Sequence, residues 1–447
     1  MKRFWQRIPA WAWVLVIWAV MFLPKAGTRE VRWEEGRRGL IARAMIEECH
    51  WIQQTVCGQP YRSKPPMLPW LIALSARVTN GLNEWAIRLP GMLAVLVAGL
   101  VVCAMTSASA GRAGSVFAAS AFFLCPLILE KARVGETDTL VTCCSFAAFW
   151  IWLKPWHAWH KTLLTGLALA VGALAKGPPA LLYFACGALT LLLWERQYRL
   201  LPWFFLTLGI GLGAVALWAA TVYEPGAGDL WLSQMQRNPQ HGFHLGPYLL
   251  NCIRFLGGAI GGSAPWCLLA LWAFKANRAL AAYAIAGTVV MMFWPESRSR
   301  YALPMMPAIA VAAGLAFHKL LASPEQLPRQ LVRVTAAVMI LLATGWCIAI
   351  TLRRSPEPNR QAARALNSIF GDQPVYALQP APHNLLFYVQ RPVTEISLKQ
   401  LAAQKTPATL LYRPSLTFAI ADARIPLEDI REISPLVFMA RVRPDGK

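Results

Sequence analysis

Two stretches near the N-terminus carry residues whose types and spacing suit chemistry on an anion. The first reads Trp33-Glu34-Glu35-Gly36-Arg37-Arg38-Gly39-Leu40-Ile41-Ala42-Arg43-Ala44-Met45. Leu40, Ile41, Ala44 and Met45 share one helical face, which predicts an amphipathic helix lying on a membrane surface. Glu34 and Glu35 stand where its first turn begins. A carboxylate there serves as a cap favoured by the helix dipole, as a general base or as a metal ligand, and spacing alone leaves all three open. The second stretch reads Gly58-Gln59-Pro60-Tyr61-Arg62-Ser63-Lys64-Pro65-Pro66. Two prolines fix the backbone just after Lys64 and start a new helix. Lys64 is then either a pinned point charge for phosphate or a snorkelling side chain at a membrane boundary.

The elements that must hold these residues are apolar. Of 447 residues, 56% are hydrophobic and only 15% charged, with mean hydropathy +0.42. That composition excludes an ordinary soluble enzyme and a disordered or fibrous chain. Twenty Trp suit membrane interfaces. The formal charge of +21 lies mostly between long apolar runs, which points to anionic lipid or a phosphorylated substrate and not to nucleic acid.

Apolar runs near 8–23, 89–109, 115–129, 140–153, 163–174, 180–194, 201–222, 249–274, 280–294, 302–321 and 334–352 predict about eleven transmembrane helices. The first reads as a retained span, because no small-residue cleavage site follows it. With the N-terminus inside, every short inside connection is basic (Arg112; Lys154 and Lys161; Arg196 and Arg199; Lys275 and Arg278; Lys319, Arg329 and Arg333), as positive-inside bias requires. The odd span number places the C-terminus outside. The expected organisation is a transmembrane portion, 1–352, with a long first outside loop, 24–88, and a small outside α/β domain, 353–447. The loop at 24–88 carries ten basic residues and six acids, an excess of cations on the trans side that an anionic ligand would explain. In the C-terminal portion, β-type runs at 375–378, 385–389, 409–412 and 437–442 alternate with helical ones at 359–370 and 398–404. Cys49 and Cys57, in the first outside loop, could pair in an oxidising compartment; the other eight cysteines sit in spans or at their ends.

At this point the chain resembles a family. Glu34-Glu35-x-Arg37-Arg38-x-x-Ile41-Ala42-Arg43-x-Met45, then Trp51, Gly58-x-Pro60-Tyr61-x-x-Lys64-Pro65-Pro66 and Asn83-Glu84-Trp85-x-x-Arg88-Leu89-Pro90 are similar to the GT-C glycosyltransferases. The nearest group holds the bacterial lipid A aminoarabinose transferases and their protein-mannosyltransferase-like relatives. Four further elements continue the resemblance: Ala132-Arg133 with Asp138-x-Leu140; Leu174-Ala175-Lys176-Gly177-Pro178; His244-x-Gly246-Pro247-Tyr248 followed by Pro265-Trp266; and Arg300-Tyr301-x-Leu303-Pro304.

The resemblance implies an all-α polytopic GT-C-like inner-membrane enzyme with juxtamembrane helices, its N-terminus cytoplasmic and its C-terminal domain periplasmic. Such an enzyme takes a sugar from a polyprenyl-phosphate donor and transfers it to a lipid A, glycan or protein acceptor on the outer face of the membrane. Glu34 stands where the family carries Asp, and Glu35 matches the second acid. With Asp138 they are the implied catalytic carboxylates. Lys64, Arg37, Arg38, Arg300, Tyr301 and Lys176 are the implied surroundings of the donor phosphate, where cations lower the barrier as charge develops. Glu34, Asp138 and His244 are an implied ligand set for a divalent ion. Each residue also has a plain reading: Asp138 as a helix cap, Lys176 as an anchor at the end of a span, Arg300 as an interfacial anchor, His244 as a loop residue. The competing class is a transporter or flippase for a lipid-linked anion. Transporters place charges within spans and often show repeats, whereas here the charges cluster in loops and no repeat is visible.

Overall fold

The computed structural model describes residues 8–224, 245–294, 297–353, 355–404, 406–435 and 437–442. The described residues fall into two compact units: those within 8–26, 63–68 and 88–353 make the first, and those within 27–62, 69–87 and 355–442 the second.

The first unit is helical, and each apolar run of the sequence is a helix. The runs at 89–109 and 115–129 share the long element Glu84–Phe123, which is two helices joined at a kink where Gly111 adopts φ 57° and ψ −164°. Among the described residues five helices are long and apolar enough to cross a bilayer, six if the pair Leu245–Ser263 and Trp266–Phe274, bent by 98°, counts as one broken span. Other apolar runs form shorter helices, among them Ala10–Phe22, Asp138–Trp152, Pro178–Trp194 and Arg278–Met292, so span length alone supports fewer crossings than eleven. Small residues set the helix spacing. A Cβ on Gly166 would lie 2.8 Å from Ile210, and one on Gly187 would lie 2.7 Å from the Tyr283 backbone. These contacts hold Ala158–Lys176 against Leu201–Thr221, and Leu182–Trp194 against the turn at Ala282–Ala286. Small residues permit such close approach between apolar helices.

The second unit carries a five-stranded sheet. Its strands are β3 (Val375–Leu378), β4 (Val393–Ile396), β5 (Ala408–Tyr412), β6 (Leu427–Ser434) and β7 (Val437–Val442), in the order β4-β3-β5-β7-β6. Strands β4, β3 and β5 run parallel; β7 is antiparallel to both β5 and β6. A two-residue ladder, β1 (Thr55–Val56) and β2 (Gln59–Pro60), lies apart. Alternation along the strands serves two cores. Val375, Ala377, Leu411 and Met439 face one, with Leu366 and Leu385. Leu378, Leu410, Tyr412 and Ala440 face the other, with Ile420.

Two expectations are corrected here. The run at 385–389 is not a strand: it enters the short helix His383–Leu386, because Pro380 and Pro382 precede it and β3 already takes its partners from β4 and β5. The amphipathic helix, Glu35–Glu47, does not turn its apolar face to a membrane. Leu40, Ile41 and Met45 are buried in the first of these cores, with Ala362, Leu366, Val375 and Leu385. The C-terminal residues supply the apolar partner that the sequence pattern assigned to lipid.

The same unit contains a polar clasp. Glu30 accepts from the Asn359 amide (3.2 Å) and the Arg360 amide (2.7 Å) at the N-terminus of the helix Pro358–Ile369. Arg360 Nη2 meets Glu84 Oε1 at 2.5 Å, and the Tyr388 hydroxyl donates to the same oxygen at 2.7 Å. Cys49 and Cys57 are free thiols.

Candidate active site

Asp138 opens the helix Asp138–Trp152 and is 5% exposed. Lys176 is the last residue of the helix Ala158–Lys176. That helix stops at Gly177, whose φ of 89° and ψ of −164° suit glycine and strain any other residue. Pro178 and Pro179 then start a 3₁₀ turn. The Lys-Gly-Pro-Pro sequence therefore halts the chain with the ammonium group at the helix end, where Lys176 Nζ donates to Asp138 Oδ1. Ser299–Met305 forms another 3₁₀ turn, which presents Arg300 and Tyr301. Lys176 Nζ lies 4.7 Å from the centre of the Tyr301 ring, and Arg300 Cζ 5.8 Å, distances at which a cation is attracted to the aromatic face.

These four side chains line a cavity of about 130 Å³, with Val141, Pro179, Tyr183, Met291, Trp294 and Pro304 making the rest of its wall. Burial opposes charge on Asp138; the neighbouring charges of Lys176, Arg300 and Lys64 favour it. Lys64 thus acts on the same carboxylate from the Pro65-Pro66 segment of the first unit. The cavity gathers cations around one acid, with apolar and aromatic walls that sharpen their fields.

The sequence reading missed a second carboxylate. Glu136, two residues before Asp138, has Lys131 Nζ at 3.3 Å and Arg300 Nη1 at 3.6 Å. Burial, then the negative charge of Asp138, push its carboxyl above the usual range, against the pull of Lys131 and Arg300. Arg300 thus faces two acids, meeting Glu136 directly and acting on Asp138 through its charge. Lys131 and Glu136 flank the quoted Ala132-Arg133 element; their charge pattern, K-x₄-E-x-D, was the available signal.

Glu34, Glu35, Arg37 and Arg38 belong to the second unit. Glu35 is fully buried; its Oε2 accepts from the Arg32 amide at 3.0 Å and faces Arg29 Nη2 at 3.6 Å. Glu34 occupies the N-cap position of Glu35–Glu47, yet its side chain makes no capping hydrogen bond. It pairs with Arg37 Nη1 at 2.8 Å. Arg38 is buried with its guanidinium 5.4 Å from the centre of the Tyr61 ring. His244 lies outside the described residues. Of the implied metal set, His244 thus cannot be placed; among the described residues no group of three His, Cys, Asp or Glu side chains gathers, and Asp138 pairs with Lys176.

A family model for dolichyl-phosphate-mannose-protein mannosyltransferase matches residues 63–220. The chain superimposes on the crystal structure of ArnT from Cupriavidus metallidurans bound to undecaprenyl phosphate with a TM-score of 0.75, covering 96% of this chain and 97% of that one at 19% identity. The fold is that of ArnT. The likeness in fold extends at lower similarity to the archaeal oligosaccharyltransferase AglB from Archaeoglobus fulgidus, solved with an inhibitory peptide and a dolichol-phosphate: TM-score 0.53 and 11% identity, over 94% of this chain and 71% of AglB. In sequence, the chain is 24% identical over 301 residues to the undecaprenyl phosphate-alpha-4-amino-4-deoxy-L-arabinose arabinosyl transferase of Erwinia tasmaniensis, covering 64% of this chain and 54% of that protein. The enzyme of the same description from Shewanella sediminis is 25% identical over 327 residues, covering 67% and 58%. The chain therefore spans a little over half the length of these curated relatives.

Proposed function

We propose that the chain is a membrane glycosyltransferase that moves a sugar from a polyprenyl-phosphate donor to a lipid A, glycan or protein acceptor. The observation that carries this reading is the cavity in which Asp138 sits among Lys176, Arg300 and Tyr301, with Lys64 acting on it. The leaving group is a lipid phosphate that gains charge as the sugar–oxygen bond breaks. Lys176, Arg300 and Lys64 stabilise that charge, and the aromatic walls keep it from bulk water. As the phosphate takes Lys176, Asp138 is released from its ion pair and can orient the acceptor or take its proton. Glu34, paired with Arg37, is a further carboxylate of the reaction, and Glu35, buried against the Arg32 amide, serves it by holding the turn. The relatives described as undecaprenyl-phosphate arabinosyl transferases support the same donor class.

The arrangement in the membrane is also part of this proposal. About eleven crossings, counting the shorter apolar helices, put the N-terminus in the cytoplasm and residues 353–447 in the periplasm of an inner-membrane protein. The basic inside connections support that direction. A divalent ion is also part of this proposal: it would screen the donor phosphate beside the chain's own cations, and EDTA would then lower turnover.

The test is mass spectrometry of lipid A, glycan and glycoprotein fractions from a deletion strain. A sugar-sized mass is lost from one fraction, returns with the wild-type chain and stays absent with Asp138→Asn. No change in any fraction would overturn the proposal.

A further inference from the structure

We propose that Asn384 is a positioning residue for the reaction: it caps the helix behind Glu34 and so keeps that carboxylate from doing so. The inference rests on the reading of Glu34 as a reacting carboxylate.

An N-cap side chain that supplies an oxygen, most often Ser, Thr, Asp or Asn, turns back to accept from the second or third amide of its own helix. Glu34 stands at the N-cap of Glu35–Glu47 without making that bond. Its φ and ψ, −86° and −3°, are helical, not the extended pair that lets a capping side chain fold back. The second amide of the helix, that of Gly36, instead donates to Asn384 Oδ1 at 3.2 Å. Asn384 is distant in sequence and lies in the short helix His383–Leu386. The bond that Glu34 would supply locally is thus supplied by a neutral amide.

The surroundings enforce the exchange. A Cβ on Gly36 would lie 2.6 Å from Asn384 Oδ1, 2.6 Å from the His383 carbonyl oxygen and 2.7 Å from Asn384 Cα, and one on Gly39 would lie 2.5 Å from the Phe387 ring. Both glycines let the 383–387 segment approach the helix backbone. One turn further on, Arg43 ties the same helix down, donating to the carbonyls of Phe387 at 2.5 Å and Val389 at 3.2 Å. On the other side, Trp33 is held at φ 53°, a conformation costly for a bulky residue that persists only where its surroundings over-determine it. The backbone on both sides of Glu34 is therefore fixed by contacts that leave its carboxylate outside the capping bond. Glu35 is committed elsewhere, to the Arg32 amide, so the two adjacent acids have different duties: Glu35 holds the turn and Glu34 points its charge outward with Arg37.

The experiment uses the full chain in detergent with a polyprenyl-phosphate sugar donor, and compares wild type with Glu34→Gln, Asn384→Ala, Asn384→Leu and Asn384→Asp. Without the Asn384 acceptor the buried Gly36 amide loses its partner, the 383–387 contact that fixes the first turn loosens, and Glu34 can then fold back toward that amide. The expected result is a fall in kcat of about five- to tenfold for Asn384→Ala, with the donor KM unchanged. Asn384→Leu keeps the volume without the acceptor, and loses kcat to the same degree. Asn384→Asp keeps the acceptor and restores kcat to within about twofold. A merely structural role would lower the folded fraction instead, leaving the kcat of the folded enzyme intact. Full kcat in Asn384→Ala and Asn384→Leu, with Glu34→Gln inactive, overturns the positioning role and leaves the proposed reaction standing. Full activity in Glu34→Gln overturns the role of Glu34, and this inference with it.

Discussion

Replacing Asp138 with Asn tests the central cavity most directly. The change keeps shape and removes one negative charge. The charged side chains lining the cavity are Asp138, Lys176 and Arg300, so two cations minus one carboxylate leave +1, and the variant leaves +2. A phosphate roughly 6 Å from the missing charge, at an effective dielectric of about 20, would gain ~3 kcal/mol. Solvent in the partly open cavity reduces this to about 1 kcal/mol. Donor KM should therefore fall about fivefold. Loss of a group that orients or deprotonates the acceptor should lower kcat by about 10²–10⁴. The two parameters thus move together downward, the signature of a residue that competes with substrate in the ground state and assists the transition state. Turnover of a purified polyprenyl-phosphate sugar, followed by mass spectrometry across donor concentrations, measures both. Thermal melting run in parallel corrects for unfolded protein, because breaking a buried ion pair costs about 3 kcal/mol or more. An unchanged kcat would refute the chemical role of Asp138. A raised KM would refute the idea that Asp138 and the donor contend for Lys176.

Three other expectations are open to measurement. Gly177→Ala forces a side chain into a φ of 89° and should cost about 1–3 kcal/mol in melting experiments while raising donor KM, because Lys176 loses its place; a silent variant would mean that the Lys176 position tolerates a shifted helix end. Tyr388→Phe removes a bond to Glu84 and the acceptor of the Val31 amide at 2.8 Å, with an expected loss of about 1–3 kcal/mol, read as a lower melting temperature with little change in kcat. For Glu395, burial alone would raise the carboxyl, but the hydrogen bond and charge of His383, the Ala381 amide and the charge of Arg37 outweigh it and hold the carboxyl below the usual range. A lowered value stabilises the fold above the ordinary carboxylate pKa, and this contribution is lost as pH falls through the folded value. Melting temperature should therefore drop as pH falls below the ordinary glutamate value of about 4.3, and Glu395→Gln should flatten that part of the curve; identical acid limbs would remove Glu395 from the account.

Much of this architecture could be read in the residues. The apolar runs are helical because a long stretch of Leu, Ala and Val offers the backbone no side-chain partners, so its polar groups bond to one another. Asp138, Lys176, Arg300 and Tyr301 were named from separate motifs and share one cavity. The partner of the amphipathic helix was illegible: Leu40 and Ile41 declare that something apolar covers them, but periodicity does not tell a lipid surface from Leu366 and Val375. Glu136 reads as ordinary loop polarity beside Lys131 and Asp138 until Arg300 arrives from elsewhere in the chain. The capping role of Glu34 was undecidable for the same reason, since the competitor, Asn384, lies about 350 positions away. Strands β4 and β6 were passed over because Val-Thr-Glu-Ile is short, and the run from Leu427 to Ser434 carries its charges in adjacent pairs that blur the alternation.

The second unit is assembled from chain segments that leave the ribosome far apart in time. Residues 27–62 and 69–87 are made early, yet beyond Val56 and Tyr61 the side chains that cover Ile41 and Met45 come from residues after 354. At roughly 5–20 residues per second, about 270 intervening residues take roughly 15–50 s to make, while the intervening helices are being synthesised. During that interval the early segment has its apolar face uncovered, and a chain stopped near residue 353 would never close it. Premature termination should therefore yield a protein cut by proteases within the first hundred residues, far from the site of the truncation itself.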